Sequence, residues 1–274
     1  MHNYKNVFDT RRGFKEVINS FRNQYPSFFK DYHYDPLRST IRDRCHSNYE
    51  KDILTKPLPD KRVCEILTKP KPDEGDGERQ AEETMDQIEK LGFEAVAVYA
   101  PYHLYDNWGI WVFLEKLNGK AYLVSRGLKM DFKDAFIGCE KAVIEHEYFH
   151  FRTEYSATVI ESITEEPTYL PYFRASLPYN KNEEAIANAC GLTLKSPYVR
   201  QIRKELEKIC QRSPPGYRDY NNYIKGGVLD VNKVRMFWAE KFLQTNKPVF
   251  LPLRPELATR LLVPVYYVQI KRTP

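Results

Sequence analysis

Apolar positions along the chain recur with helical spacing over one long central stretch. Between Asp131 and Glu161, Phe132, Phe136, Cys139, Val143, Phe149 and Ala157 return at roughly helical intervals, and no proline follows before Pro167. Asp131 is placed to cap the first turn, with Asp134 at the third helical position in a box-like pair. The pattern predicts one long helix. Ahead of it, residues 94–99 (EAVAVY), 109–116 (GIWVFLEK) and 120–125 (KAYLVS) read as strands, and Asn118-Gly119 is a two-residue hairpin signal between the last two. Helices are also predicted at 79–91, after an Asn182 N-cap, at 198–210 and at 231–243. In the last of these Val234, Phe237, Trp238 and Phe242 form the apolar side. Residues 262–270 read as a strand, with Pro264 placing it near an edge or a bulge.

The N-terminal part has another texture. Residues 1–50 are polar, aromatic and basic, with a helix predicted over 13–24. The octet at 53–60 (ILTKPLPD) then recurs at 66–73 (ILTKPKPD). Two copies do not make a solenoid, and their Lys-Pro-x-Pro cores favour extended chain. The expected organisation is an N-terminal extension with a Pro-rich repeat linker over 1–78, then a catalytic domain with a C-terminal helical region over 79–274. The extension reads as a surface strap. A lid, an inhibitory segment or a docking motif for a regulatory partner protein are the sharper alternatives.

Five residues narrow the chemistry. His146-Glu147-Tyr148-Phe149-His150 reads H-E-x-x-H and falls within the long predicted helix. Positions i and i+4 share a helix face, so both imidazoles can reach one metal ion with Glu147 beside them as a base. Metal-assisted hydrolysis needs a third protein ligand. Downstream, Glu184-Ala185-Ile186-Ala187-Asn188 reads E-x-x-A-N on a second predicted helix. Asn188 lies one turn beyond Glu184, where it could accept a ring N–H from a ligating histidine. Two rivals to Glu184 remain. Glu154 follows His150 by four residues, but three ligands along one straight helix make poor tetrahedral geometry, and a surface or supporting role suits it better. Glu183 lies about 100° around the helix from Glu184, so only one of the two should face the metal.

H-E-x-x-H followed by a helix bearing E-x-x-A-[DN] resembles the gluzincin group of zinc metallopeptidases. That group includes thermolysin-like enzymes, HtpX-like membrane endopeptidases and ImmA/IrrE-type regulator proteases. The thermolysin-like version, N-E-A-I-S-D, has aspartate where this chain has Asn188. The resemblance covers the central third of the chain. It implies that His146, His150 and Glu184 bind Zn2+, that Glu147 is the general base, and that Asn188 supports a histidine ligand. It further implies a zincin-like domain, in which an edge strand pairs with an extended substrate. A donor at the developing oxyanion is also expected, and the candidates are Tyr172, Arg174 and Tyr179 from the loop between the ligand helices, and His103.

Composition changes the picture little. The 274 residues are 42% hydrophobic, enough for a core, and no apolar run approaches a membrane span. No signal-peptide h-region opens the chain. Five cysteines, at 45, 64, 139, 190 and 210, form no C-x-x-C and suit reduced thiols in a cytoplasmic protein. A net charge of +5 permits contact with nucleic acid without requiring it, and no nucleic-acid motif or two-metal carboxylate cluster is present.

The expectation is therefore an α+β, zincin-like fold, with a small β-sheet packed on the H-E-x-x-H helix and a helical second half. The expected activity is that of a zinc-dependent endopeptidase hydrolysing a peptide bond in a protein substrate through a zinc-activated water. The alternative is a catalytically inactive zincin-fold protein that docks a partner.

Overall fold

The computed structural model describes residues 64–67, 69–70, 72–75, 77–101, 103–104, 108–164, 168–176, 180–243 and 263–270. The helix expected at 13–24, the first repeat copy at 53–60 and Tyr179 lie outside the described residues. The architecture is α+β, mostly helical with a small mixed sheet. Among the described residues, no helix is long and apolar enough to cross a membrane.

In chain order the elements are β1 (Cys64–Leu67), α1 (Gly77–Leu91), a 3₁₀ turn (Gly92–Ala95), β2 (Ala97–Ala100), β3 (Gly109–Phe113), α2 (Leu114–Leu128) and α3 (Phe132–Thr164). The second half has α4 (Tyr169–Ser176), α5 (Lys181–Thr193), α6 (Pro197–Arg212), a 3₁₀ turn (Tyr217–Tyr223), β4 (Ile224–Lys225), β5 (Val228–Leu229), α7 (Val231–Leu243) and β6 (Val265–Ile270).

The 33-residue α3 is the axis of the molecule. Asp131 caps it as the pattern predicts, its Oδ1 accepting the N–H of Lys133 (2.8 Å) and of Asp134 (3.2 Å). Phe136, Cys139, Val143, Phe149 and Ala157 are all buried, but they do not face one core. Phe136, Cys139 and Val143 join the larger one, shared with α1, α2, α6 and the sheet. Phe149 and Ala157 join a second, shared with Tyr169, Tyr172, Ile186, Trp238 and Phe242 from α4, α5 and α7. The His146–His150 turn sits where the two cores meet.

The four-stranded sheet runs β1-β6-β3-β2, with β3–β6 parallel and the other pairs antiparallel. β6 is therefore an interior strand, which corrects the expectation that Pro264 marks an edge or bulge. Pro264 precedes the strand, and its carbonyl accepts the Ile110 N–H at 2.9 Å. The missing proline N–H thus falls outside the ladder. β1 comes from the segment read as a linker and pairs residue for residue with β6.

The hairpin expected at Asn118-Gly119 does not form. Both residues are buried inside α2. Leu114, Leu117, Ala121 and Val124 recur at helical spacing and are fully or nearly fully buried, so tertiary burial decides for helix over the local turn signal. Gly119 marks the place where α2 crosses α1. A methyl there would run into the Gln80 carbonyl and the Thr84 hydroxyl. Asn118 turns its Oδ1 to the Asp73 N–H at 3.2 Å.

Two further expectations shift. The segment from Tyr169 between the ligand helices, read as a loop, is helix α4. The N-cap of α5 is Asn180, not Asn182, because the Asn180 side chain accepts from the N–H groups of Asn182 and Glu183.

Candidate metal centre

Helix α5 lies across α3, with small residues Ala185, Ala187, Ala189 and Gly191 among its buried positions. This close packing brings His146, His150 and Glu184 together, with one ligand atom of each within 4.8 Å of the others. The two histidine Nε2 atoms are 3.4 Å apart. Glu184 Oε2 lies 3.3 Å from His146 Nε2, and its Oε1 lies 3.6 Å from His150 Nε2. Four ligands set tetrahedrally at about 2.05 Å from a zinc ion are about 3.3 Å from one another. The observed triangle is of that size.

The partners behind the rings fix which nitrogens face inward. Asn188 Nδ2 donates to the Tyr217 carbonyl at 2.9 Å, which orients the amide so that Oδ1 meets His146 Nδ1 at 3.0 Å. His146 Nδ1 therefore carries the proton. Glu183 Oε1 does the same for His150 Nδ1 at 2.8 Å. Both Nε2 lone pairs then converge on Glu184. Two lone pairs and a carboxylate facing one another call for a cation.

A proton on His150 answers the same demand for positive charge that a bound cation would. Burial alone would lower the His150 pKa, but the charge of Glu184 and the hydrogen bond to Glu183 outweigh it and raise it well above the ordinary value. Burial opposes ionisation of Glu184 too, yet the His150 charge and the histidine hydrogen bonds bring it down to about 2. Burial raises the pKa of Glu147. Glu147 Oε1 stands 3.9 Å from His146 Nε2 and is buried with no hydrogen-bond partner among the described residues.

The chain matches no family model, no curated protein and no solved structure.

The remaining candidates fall elsewhere. Glu183 does not join the triangle but lies behind His150. Tyr172 donates its phenol to Glu183 and accepts from Asn180 Nδ2 at 3.1 Å, so it also stands behind His150 and does not face the reacting side. The Arg174 side chain and Tyr179 are outside the described residues. His103 is buried between two carboxylates, with Nδ1 2.5 Å from Glu154 Oε1 and Nε2 3.0 Å from Glu161 Oε2. With both ring nitrogens engaged, it offers no donor to an oxyanion. Glu154 is fully buried, which corrects the surface role considered for it.

The sequence carried one signal that spacing alone could have revealed. Glutamates occur at 140, 147, 154 and 161, every seventh residue of α3, and so form one stripe on the helix. Each meets a partner from another element. Glu140 accepts from the Tyr267 phenol of β6, Glu147 from the Tyr99 main chain, Glu154 from the Tyr99 phenol and His103, and Glu161 from His103 and the N–H groups of Thr168 and Tyr169.

Proposed function

We propose that the protein is a zinc-dependent endopeptidase of gluzincin type, with His146, His150 and Glu184 holding the metal and Glu147 as the base. The single observation carrying this is the convergence of the two Nε2 atoms and Glu184 at tetrahedral-edge spacing, with an unpartnered Glu147 oxygen beside them. Two imidazoles with one carboxylate are a donor set that suits zinc. A zinc ion there would supply Lewis acidity and would lower the pKa of water towards about 7.

The chain's own residues do the rest. Glu147 takes the proton of the attacking water on its free oxygen and returns it to the leaving nitrogen. Burial raises its pKa, which favours holding the proton between the two transfers. Asn188 and Glu183 keep the imidazoles in the ligating tautomer.

β2 pairs with β3 alone among the described strands. Phe113 donates to the Val96 carbonyl (2.9 Å), so the alternation of an antiparallel ladder turns the Ala97 and Tyr99 main-chain groups away from β3. On that side the Tyr99 N–H meets the Glu147 carboxylate, and a protein or peptide substrate is what the zincin-like reading expects. A helix bearing the motif, flanked by a sheet and by a second helix with the third ligand, is also what the zincin-like reading expects. A purely structural site has no use for a buried base, which weighs against the inactive alternative. Free thiols at Cys139, Cys190 and Cys210 suit the reducing cytoplasm proposed for it.

Metal content of the purified chain, measured by mass spectrometry beside His146→Ala and Glu184→Ala, tests the site. About one zinc per chain, lost in both variants, is the expected result. Glu147→Gln should retain the metal and lose about 10²–10⁴-fold in turnover of a peptide library. No bound metal after reconstitution with zinc, or full activity in Glu147→Gln, would overturn the reading.

A further inference from the structure

Tyr99 touches one face of α3 at three levels, two of them glutamates of the stripe. Its main-chain N–H hydrogen-bonds to the Glu147 carboxylate. Its ring packs edge-on against Phe151, with centroids 6.0 Å apart. Its phenol donates to Glu154. Residues 147, 151 and 154 are i, i+4 and i+7, one face of the helix over about 10 Å. One residue of β2 therefore lies along α3 from the proposed base to the next carboxylate.

The far end of this contact is clamped. Glu154 Oε1 accepts from the His103 main chain at 2.8 Å and meets its ring at 2.5 Å. The same ring reaches Glu161, whose Oε1 accepts two N–H groups at the start of α4, each at 2.8 Å. The His103 ring packs against Tyr169 of α4, centroids 4.8 Å apart and tilted by 30°. Tyr99, His103, Glu154, Glu161 and Tyr169 are all buried. The phenol of Tyr99 is thus held by a cluster that spans about two turns of α3 and takes no direct part in the metal triangle.

We propose that Tyr99, locked through its phenol into the Glu154–His103–Glu161 cluster, is the positioning residue that sets where the Glu147 carboxylate sits. This rests on the peptidase reading for its effect on turnover, but its structural content does not. Cutting the phenol from Glu154 frees β2 to move along α3. The Tyr99 N–H then no longer holds one Glu147 oxygen, and the base wanders from its working place. Displacement of a reacting group by about 1 Å can cost on the order of 10²-fold in rate.

The test uses the full chain, zinc-loaded, as wild type, Tyr99→Phe and His103→Gln. Tyr99→Phe keeps the ring and the backbone and removes only the anchor. It should lower kcat about 10–100-fold with KM and zinc affinity within about twofold of wild type. Amide hydrogen exchange, resolved by residue, gives a readout that needs no activity. Exchange at position 99 should rise about 10-fold or more in both variants while Phe149 and Thr153 of α3 keep their protection. If His103→Gln fails to fold, Tyr99→Phe decides alone. Unchanged exchange at position 99, or a loss shared equally by all of α3, overturns the proposal. If wild type shows protected Tyr99 and no turnover on any peptide, the function reading fails, and the exchange result still decides the positioning role.

Discussion

Glu183 and Glu184 are neighbours that meet the same histidine from opposite sides. Glu184 turns its oxygens to both Nε2 atoms, while Glu183 holds the back of the His150 ring and is itself held by the Tyr172 phenol. Replacing Glu183 with alanine leaves the triangle intact and releases the ring. Zinc affinity, measured by competition with a chelator, should weaken about 10–100-fold. An unchanged affinity would show that the ring is held without it. At this scale much of the site was legible. Helical periodicity turns the spacings of 146, 150, 184 and 188 into faces, and those faces are the ones that meet. Two of the oxyanion candidates, Tyr172 and His103, face away from the reacting side, because a tyrosine or histidine has no legible direction until its neighbours are known. Tyr172 and His103 are both consumed by glutamates distant in sequence. The glutamate stripe was visible as a spacing, but its meaning lies in partners from β2, β6 and α4 that no spacing reveals.

At the scale of elements, two glycine turns make the point. Asn118-Gly119 has the preferred local chemistry for a hairpin and is helix. Gly226-Gly227, with φ of 60° and 80°, is the turn between β4 and β5. Both dipeptides are hairpin signals, and the difference is tertiary. The flanks of Gly119 bury a helical face against α1 and α3, whereas β4 and β5 are two residues each and largely exposed. Gly119 is kept for closeness of approach. Gly119→Ala should therefore destabilise the protein although alanine is the better helix former. Overpacking costs about 1–3 kcal/mol, so the melting temperature should fall by roughly 2–4 °C per kcal/mol lost. A rise in melting temperature would mean that α1 and α2 can part without penalty. The helices at 79–91, 198–210 and 231–243 were legible to within two residues at each end, because long amphipathic repeats survive any packing environment.

For the whole molecule, stability should depend on pH through the buried cluster. Burial alone would lower the His103 pKa, but Glu161 and Glu154 together raise it to about 9, against 6.5 for a free histidine. A folded-state pKa raised above the unfolded one favours the native state fully below about pH 6.5, and the benefit is lost as pH climbs through 9. The swing is on the order of 3 kcal/mol. Lys120 acts in the opposite sense. Burial lowers it from 10.5 to about 8, so its penalty is full below pH 8 and fades towards 10.5. Urea midpoints from pH 6 to 9.5 should therefore fall more steeply in wild type than in His103→Gln, and parallel curves would refute the assignment. The strand order was the least legible feature, since nothing local announces that β6 slips between β1 and β3. That placement makes the sheet a clasp. Fastening β1 to β6 closes a loop of roughly two hundred residues, and halving that loop would save only about 0.6 kcal/mol. Insertions between the two strands are therefore cheap in stability, and their burden falls on time, because the clasp can close only after distant parts of the chain have found each other.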